Sequence, residues 1–311
     1  MAKVLILDRV HPLFLERLPQ MGFQVEEDYE LEAESISWSE YQGVVLRSRM
    51  PIDRAVLAQC SSMRFIARVG AGLENIDLPF AQEMGIEVLA APEGNRNAVG
   101  EQALGMLLAL FNRLLIADGE VRKGLWLREE NRGLELGGKT VGILGYGNMG
   151  SAFAKKLSGM SCRVIAYDKY KSGFSSPQVE ECSLEYLQQE ADIISLHLPQ
   201  SEETHYLLDS AFIGACAKNF FLINTARGNI VQTQALIEAL ESGKIRGACL
   251  DVLEFEKSSF ENLFQEGQNE QLEYLLQSNK VILSPHIAGW TQESKVRMAE
   301  VLIAKIEKLM L

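Results

Sequence analysis

The sequence has few of the residues from which disulfide frameworks and metal sites are built. Its 311 residues include five cysteines and four histidines, and no two cysteines form a Cys-x-x-Cys pair. A small, odd number of scattered cysteines in a long chain is typical of reduced thiols. We therefore predict neither a disulfide framework nor a metal site.

Long apolar runs are absent as well. The longest apolar stretch, residues 103–117, is interrupted by Asn112 and Arg113 and is too short to cross a membrane. Residues 1–8 are typical of a strand rather than a secretion signal, because the apolar run is short and no small-residue cleavage site follows it. These features predict a soluble, cytoplasmic protein with no membrane partner.

Basic residues are outnumbered by acidic ones. The chain has 30 Lys and Arg against 42 Asp and Glu, which gives a formal net charge of −12. The densest basic positions are isolated pairs, such as Lys155 with Lys156, so no basic stripe attracts nucleic-acid phosphates. Nucleic acid is therefore not a predicted partner. Because 47% of the residues are hydrophobic, intrinsic disorder is excluded as the main state.

Short apolar runs alternate with longer amphipathic stretches along the whole chain. The runs are continuous and rich in β-branched residues, which indicates strands covered on both faces by helices. One set of runs ends near residue 90, and a second set begins at Thr140, after a helical stretch at residues 101–117. This pattern predicts an α/β fold of two Rossmann-like or flavodoxin-like lobes with parallel sheets. The predicted strands are residues 3–8, 44–47, 64–69, 87–90, 141–144, 164–167, 193–197, 221–224, 248–252 and 281–283.

Three further segments complete the prediction. Residues 293–311 have apolar residues at helical spacing, which predicts a final helix. The periodicity does not show on which of the two lobes this helix packs. Residues 265–277 are polar and indicate either a surface insertion or an exposed helix. Residues 133–140 match the P-loop pattern of proteins that bind nucleoside triphosphates, but a strand follows them where a P-loop requires a helix. ATP hydrolysis is therefore not predicted.

A glycine-rich turn carries the strongest local signal. It follows the strand at residues 141–144 and opens a helix, with the sequence Gly145-Tyr146-Gly147-Asn148-Met149-Gly150. Glycines at this spacing permit a tight turn and let backbone amides and a helix N-terminus approach a pyrophosphate. The next strand ends at Asp168, whose carboxylate can accept hydrogen bonds from ribose hydroxyls and repels a 2′-phosphate. We therefore predict a dinucleotide site for NAD rather than NADP.

Several polar residues follow predicted strands, where open α/β sheets bind ligands. His286 is suited to proton transfer near neutral pH, and the guanidinium of Arg227 is suited to holding a carboxylate. His197 precedes Leu198 and Pro199 and is interpreted as lining the cofactor crevice rather than as catalytic. A carboxylate beside His286 would fix its tautomer, and the spacing leaves Glu254 and Glu256 open for that position.

Together these motifs resemble the D-isomer specific 2-hydroxyacid dehydrogenase family over nearly the whole chain. Besides the glycine-rich turn, the resemblance rests on five ordered segments. They are residues 68–77 (RVGAGLENID), 195–199 (SLHLP), 224–228 (NTARG), 250–252 (LDV) and 285–289 (PHIAG).

The resemblance implies a domain order and a set of roles. Residues 1–97 and 287–311 would form a discontinuous substrate domain, residues 98–286 an inserted NAD-binding domain, and the long helix starting near Glu101 a homodimer contact. Arg227 would bind the substrate carboxylate and carbonyl, His286 would act as acid and base, and Glu256, five residues beyond Asp251, would orient His286. The amides of Gly70, Ala71 and Gly72 would receive the substrate carboxylate. Asp251 would bind the nicotinamide carboxamide, and the remaining implied cofactor contacts are Thr225, Ala226, Arg227, His286 and Gly289.

Within the family, the sequence is most similar to a short D-3-phosphoglycerate dehydrogenase without a regulatory domain. The resemblance places Arg47 and Ser48 at a substrate phosphate, which implies 3-phosphoglycerate and 3-phosphohydroxypyruvate as substrates and a part in serine biosynthesis. A glyoxylate or hydroxypyruvate reductase, or another 2-keto acid reductase, is the alternative within the same class. A non-enzymatic NAD(H)-sensing protein is the alternative from another class, although a sensor has no need of Arg227, Glu256 and His286.

Overall fold

The structure is a computed structural model that describes residues 2–256 and 269–310. The strands are β1 (Ala2–Ile6), β2 (Phe23–Glu27), β3 (Tyr41–Leu46), β4 (Phe65–Arg68), β5 (Glu87–Ala90), β6 (Thr140–Leu144), β7 (Arg163–Tyr167), β8 (Glu180–Glu181), β9 (Ile193–Leu196), β10 (Phe220–Asn224), β11 (Ile245–Leu250) and β12 (Val281–Leu283). The α-helices are α1 (Leu13–Gln20), α2 (Arg54–Leu57), α3 (Leu78–Glu83), α4 (Pro92–Phe111), α5 (Leu114–Arg122), α6 (Asn148–Leu157), α7 (Leu184–Glu190), α8 (Ser210–Ala215), α9 (Thr233–Ser242), α10 (Glu270–Gln277) and α11 (Gln292–Met310).

The described residues divide into two compact units. The first unit comprises residues 2–96 and 290–310, and the second comprises residues 97–256 and 269–289. The first contains a five-stranded sheet in the order β2-β1-β3-β4-β5, and the second a seven-stranded sheet in the order β12-β11-β10-β9-β6-β7-β8. Every strand pair in both sheets is parallel. The predicted fold class is therefore confirmed.

Both sheets are covered on two faces, which explains the continuous apolar runs. In β9, Ile193 belongs to one apolar cluster and Ile194 to the cluster on the opposite face. In β1, Val4 and Leu5 divide in the same way between the two clusters of the first unit. Because side chains alternate between the faces of a strand, only a fully apolar run satisfies both.

Helix α11 packs on the sheet of the first unit. Its buried residues Ala299, Leu302 and Ile306 belong to the same apolar cluster as Val4 and Phe65. This contact assigns the last helix to a unit, which its periodicity alone did not. The helix starts at Gln292, one residue before the predicted start at residue 293.

The helical stretch predicted at residues 101–117 is in fact two helices. Helix α4 begins at Pro92, and the chain bends by 59° where α5 follows it. Arg113, between the helices, has a left-handed backbone with φ of 52°, which interrupts the right-handed α-helical conformation. Within the described ranges, no single helix is long and apolar enough to cross a membrane, and only this bent pair passes on length and composition.

Two strands and one helix refine the prediction. β2 lies at the edge of its sheet and β8 has two residues, and neither is predicted from the sequence. The polar segment at residues 265–277 contains α10, whose Leu272 and Leu275 are buried, so this helix is amphipathic rather than wholly exposed. The part of that segment before residue 269 lies outside the described residues.

Candidate active site

The candidate residues of the second unit follow strands that end in one row. Tyr167, Leu144, Leu196, Asn224, Leu250 and Leu283 are register partners across six neighbouring strands. The residues immediately after them therefore lie along the same edge of the sheet. Those residues are Asp168, Gly145, His197, Thr225, Asp251 and Ser284. Between β6 and β9 the strand order reverses, and such switch points are where open α/β sheets bind ligands.

The glycine-rich turn is tightly packed at its two ends and open in its middle. Gly145 has φ of +90°, and a Cβ there would lie 2.5 Å from the carbonyl oxygen of His197. A Cβ on Gly150 would lie 2.0 Å from the carbonyl oxygen of Gly145, so both positions require glycine. A Cβ on Gly147 would meet nothing within 4 Å. The N-terminus of α6 at Asn148 therefore begins beside open space, as a phosphate-binding turn requires.

Asp168 holds the glycine-rich turn in place. Its Oδ2 accepts a hydrogen bond from the amide of Tyr146 at 2.7 Å, and its Oδ1 accepts one from the amide of Tyr170 at 2.9 Å. A carboxylate oxygen accepts more than one hydrogen bond, so these contacts leave acceptor capacity for ribose hydroxyls. The carboxylate is therefore fixed by the backbone at the position predicted for ribose recognition.

His197 and Thr225 bring buried polar atoms to the sheet edge. Both residues are 9% exposed, and His197 Nε2 lies 2.8 Å from the hydroxyl of Ser195. Among the described residues, His197 Nδ1 and Thr225 Oγ1 are buried atoms with no hydrogen-bond partner. Buried polar atoms without partners are costly, and a bound ligand would satisfy them. Leu198, Pro199 and Ala226 continue the two loops in which these atoms lie.

Burial also fixes the charge state of His197, lowering the pKa of its imidazole to about 3. An unfolded histidine has a pKa of about 6.5, so below that pH the unfolded chain takes up a proton that the native state does not. When the pH is lowered from about 7.5 to about 5, the free energy of unfolding should therefore fall by about 2 kcal/mol more in the wild type than in a His197→Gln variant. Urea denaturation of both proteins at the two pH values measures this difference, and an equal pH dependence would contradict it.

Arg227 follows β10 on a loop whose shape is set by Asn224. The buried Asn224 side chain donates from Nδ2 to the carbonyl of Arg227 at 2.9 Å, and its Oδ1 accepts from the amide of Ala226 at 3.1 Å. Arg227 Nη1 donates to the carbonyl of Ala226 at 2.7 Å. A Cβ on Gly228 would lie 1.9 Å from the carbonyl oxygen of Leu253, so a glycine there lets this loop approach the loop after β11.

His286 is paired with Glu256. Its Nδ1 lies 2.7 Å from Glu256 Oε2, and both side chains are largely shielded, at 24% and 18% exposure. Glu256 Oε1 accepts from the amide of Leu253 at 2.6 Å, which orients the carboxylate. Glu254 instead accepts from the amide of Thr233, at the start of α9, at 2.9 Å. Of the two carboxylates left open by the sequence, Glu256 is therefore the one that contacts His286.

Asp251 organises the loop that carries His286. It is 1% exposed and accepts hydrogen bonds from the amides of Ile287 and Ala288 at 2.9 and 2.8 Å, and from the hydroxyl of Ser284 at 2.5 Å. Burial raises the pKa of the Asp251 carboxyl, and these hydrogen bonds oppose the rise. His286 itself has φ of +53°, a strained conformation for a non-glycine residue. Asp251 thus maintains the strained backbone that presents the imidazole.

Sequence reasoning missed the positioning roles of Ser284 and Asn224. Both are polar residues at the ends of apolar strands, and Asn224 is 1% exposed. Gly289 ends the His286 loop. Asn224 is the last residue of the buried strand β10, and Ser284 directly follows β12. A polar residue at either position was the available signal, because a shielded polar group must find a partner at the sheet edge.

The first unit has its own cluster of candidate residues, at the carboxyl edge of its sheet. Leu46 of β3 and Arg68 of β4 are register partners, so Arg47 and Ser48 follow one strand where the residues 69–72 follow the other. Gly70 has φ of +156°, and a Cβ there would lie 1.4 Å from Arg68 Nη1. Ala71 and Gly72 continue this turn. The positive φ favours glycine at this position, and the Arg68 side chain lies against the turn.

The fold and these motifs coincide with a known family. Residues 104–288 match the model of the D-isomer specific 2-hydroxyacid dehydrogenase NAD binding domain. The chain therefore belongs to the D-isomer specific 2-hydroxyacid dehydrogenase family, and its second unit contains the NAD-binding domain of that family.

Individual relatives agree with this assignment. The D-3-phosphoglycerate dehydrogenase of Archaeoglobus fulgidus is 31% identical over 98% of this chain and 56% of its own length. The hydroxypyruvate reductase of Thermotoga maritima is 35% identical over 85% of this chain and 83% of its own length. The D-lactate dehydrogenase of Aquifex aeolicus, solved with NAD and lactic acid, is 26% identical with a TM-score of 0.84 over 98% of this chain and 94% of that one. The chain thus spans just over half the length of the phosphoglycerate dehydrogenase it matches.

Proposed function

We propose that the protein is an NAD-dependent oxidoreductase acting at C2 of a D-2-hydroxy acid. The contact between His286 and Glu256, on the same sheet edge as the glycine-rich turn, is the observation that carries this proposal. A dinucleotide turn alone fits a sensor or a dehydrogenase. An imidazole held by a shielded carboxylate beside that turn favours catalysis.

His286 is the proposed acid and base. Glu256 accepts the proton of Nδ1 at 2.7 Å, which makes Nε2 the nitrogen that exchanges a proton with the substrate. In oxidation Nε2 takes the proton of the C2 hydroxyl, and in reduction it returns that proton to the carbonyl oxygen. Glu256 stabilises the imidazolium formed in between and keeps the ring oriented.

Arg227 is the proposed carboxylate and carbonyl ligand. Its guanidinium is planar and permanently charged, so it binds a carboxylate in two hydrogen bonds and stabilises negative charge on the reacting oxygen. The amides of Gly70, Ala71 and Gly72 are the proposed second set of carboxylate donors, because successive backbone amides in a tight turn bind anions.

The residues present fit the cofactor that the family implies. The open middle of the turn at Gly147, and the unpartnered Nδ1 of His197 and Oγ1 of Thr225, are features that a bound dinucleotide would fill and satisfy. The phosphates would lie at residues 145–150 and the adenosine ribose at Asp168, with residues 197–199, Thr225, Ala226 and Gly289 lining the rest. Asp251 would contribute by fixing the His286 loop. Bound nicotinamide supplies hydride acceptance and donation at C2.

A phosphorylated three-carbon acid is the proposed substrate. Arg47 follows β3, and the carboxyl edge of the same sheet carries Arg49 and ends β4 with Arg68. Because Arg49 donates to the carbonyls of Leu7 and Leu31, the guanidinium groups of Arg47 and Arg68 are the ones that favour a substrate with a second anionic group. We therefore propose 3-phosphoglycerate and 3-phosphohydroxypyruvate, and with them a step of serine biosynthesis. Hydroxypyruvate is the second candidate, because the reductase of that name aligns over 83% of its own length.

NADH oxidation with a panel of 2-keto acids tests the proposal. We expect kcat/KM for 3-phosphohydroxypyruvate to exceed that for hydroxypyruvate by at least about tenfold, as a charge-assisted contact to the phosphate implies. Arg47→Ala should remove this preference and leave turnover of glyoxylate unchanged. Equal kcat/KM values for the two acids in the wild type would contradict the phosphorylated substrate and favour hydroxypyruvate. If no acid supports NADH oxidation, the NAD(H)-sensing alternative is favoured.

We further propose that the protein forms a homodimer in the cytoplasm. Helix α5 exposes Leu114, Leu115 and Val121 at 54%, 63% and 50%, and contiguous exposed apolar residues favour an interface. The five cysteines are free thiols, which suits a reducing compartment. Sedimentation equilibrium giving only the monomer mass of 34.7 kDa would exclude the dimer, and cell fractionation tests the location.

A further inference from the structure

Trp290 is an exposed aromatic residue on a rigid part of the backbone. Its side chain is 62% exposed, yet the next residues form a reciprocal cap at the start of α11. The amide of Thr291 donates to Ser294 Oγ at 3.0 Å, and the amide of Ser294 donates to Thr291 Oγ1 at 3.1 Å. Such a cap fixes the path of the chain into a helix, and α11 is itself packed on the sheet of the first unit. Trp290 is therefore held in place although it is exposed.

Arg47, in the same unit, is fixed just as firmly. Its amide donates to Asp8 Oδ2 at 2.6 Å, and its carbonyl accepts from Asn75 Nδ2 at 3.3 Å. Between these two anchored backbones the side chains meet. The guanidinium carbon of Arg47 lies 3.9 Å from the centre of the Trp290 ring.

A guanidinium stacked on an indole ring is a prepared anion receptor. The Arg47 guanidinium carbon lies over the Trp290 ring. Because the N–H donors of a guanidinium lie in its own plane, a ring on one face leaves them able to form hydrogen bonds. The ring also attracts the cation and restricts its rotamers, so less side-chain entropy is lost when an anion binds. The neighbouring Arg49 is occupied differently, because it donates to the carbonyls of Leu7 and Leu31 at 2.9 and 2.8 Å. The Arg47 guanidinium is thus oriented by an aromatic ring, whereas the Arg49 guanidinium is held by backbone carbonyls.

We propose that Trp290 is a positioning residue that fixes Arg47 to receive the second anionic group of the substrate. This inference rests on the proposed function and deepens it, because it assigns the preference for a phosphorylated acid to a pair of residues. Trp290 also follows His286 by four residues in the sequence. One short segment therefore supplies both the proposed acid–base group and the ring that orients the phosphate ligand.

Steady-state kinetics of four variants test the inference. With 3-phosphohydroxypyruvate, Trp290→Ala should raise KM about fivefold and leave kcat within about twofold, because only ground-state positioning is lost. Trp290→Phe keeps an aromatic face and should stay within about twofold of wild type in KM. With glyoxylate, which has no second anionic group, neither variant should change KM. Arg47→Ala is the reference for complete loss. Trp126→Phe, at an exposed tryptophan of the second unit, is the control.

The outcomes separate the inference from the function it rests on. If Arg47→Ala raises KM for the phosphorylated acid and Trp290→Ala does not, the positioning role is wrong and the proposed substrate stands. If neither variant changes KM, both are wrong. If Trp290→Ala changes KM for glyoxylate as much as for the phosphorylated acid, its role is structural and the inference is overturned.

A binding experiment decides the question without turnover. In the Trp126→Phe background the remaining tryptophans are the buried Trp38 and the exposed Trp290. Titration with 3-phosphoglycerate should change the emission of Trp290, and Arg47→Ala should abolish that change. A change that persists without Arg47 would overturn the inference. If none of the 2-keto acids supports NADH oxidation but the Arg47-dependent change in emission is present, the inference stands and the proposed activity fails.

Discussion

Replacing His286 with alanine is expected to lower kcat about a thousandfold, since positioned acid–base groups contribute about a hundred- to ten-thousandfold. The imidazole is proposed to move the proton of the C2 oxygen, and among the described residues no other histidine at this sheet edge is suited to replace it. His197, the other candidate, has its pKa lowered to about 3 by burial and stays neutral. Stopped-flow measurement of single-turnover NADH oxidation isolates the chemical step.

The affinity for NADH controls for the integrity of the site. Because the glycine-rich turn and Asp168 do not depend on the imidazole, the Kd of NADH should stay within about twofold in His286→Ala. His205→Ala, a change at an exposed histidine of the same unit, should leave kcat unchanged. Glu256→Gln should fall between the two, with kcat lowered about tenfold, because the amide oxygen can still accept from Nδ1 but the lost charge no longer stabilises the imidazolium. Wild-type turnover in His286→Ala would remove this residue from the mechanism.

The buried parts of the fold could be predicted from the sequence because their residues satisfy two faces at once. β9 and β10, whose residues are all buried, were predicted within one residue at each end. β5 was predicted at its observed bounds although it is an edge strand with no buried residue, because its sequence EVLA is largely apolar. β2 was missed because its sequence FQVEE mixes apolar and charged residues, as an edge strand does, and a short alternating run resembles a loop. A strand could therefore be predicted where its sequence is a continuous apolar run, as in β5, β9 and β10, and not where charged residues interrupt the run, as in β2.

The division of α4 from α5 could not be predicted because it depends on a distant contact. The break occurs at Arg113, whose Nε donates to Asn131 Oδ1 at 3.3 Å, and arginine has no intrinsic preference for a left-handed backbone. The partner of His286 was undetermined for a similar reason. Glu254 and Glu256 are chemically alike, and what distinguishes them is that Glu254 binds the amide at the start of α9. Such choices are made by tertiary contacts, which one-dimensional spacing does not contain.

The site shows the same division between local and tertiary information. The glycine-rich turn and Asp168 were predicted because the spacing of the glycines between a strand and a helix is visible in the local sequence. The 2.5 Å approach of a Cβ on Gly145 to the carbonyl oxygen of His197 is a tertiary contact that the sequence does not contain. Asp251 is predicted to bind the nicotinamide carboxamide, and this stays a prediction. Its side chain also accepts hydrogen bonds from the amides of Ile287 and Ala288 in the His286 loop. A buried carboxylate holding a strained loop is invisible in a motif, because the motif gives the residue and not its partners.

Replacing Arg227 with alanine is expected to raise the KM for the 2-keto acid and to lower kcat, each by about ten- to a hundredfold. A charge-assisted hydrogen bond contributes about 1.5–3 kcal/mol, and Arg227 is proposed to bind the carboxylate in the ground state and the developing oxyanion in the transition state. Losing the first raises KM, and losing the second lowers kcat. Steady-state kinetics with hydroxypyruvate and NADH at saturating cofactor separate the two constants.

The shape of the guanidinium, rather than its charge alone, should account for most of this effect. Arg227→Lys keeps the charge but loses the planar pair of donors, so it should recover KM only in part and kcat hardly at all. Arg128→Ala, at an exposed arginine of the same unit, should change neither constant. The loop is shaped by Asn224 through main-chain contacts, so the melting temperature should be nearly unaffected in either Arg227 variant. An unchanged KM in Arg227→Ala would show that the substrate carboxylate is held elsewhere, and the amides at residues 70–72 would then be its remaining ligands.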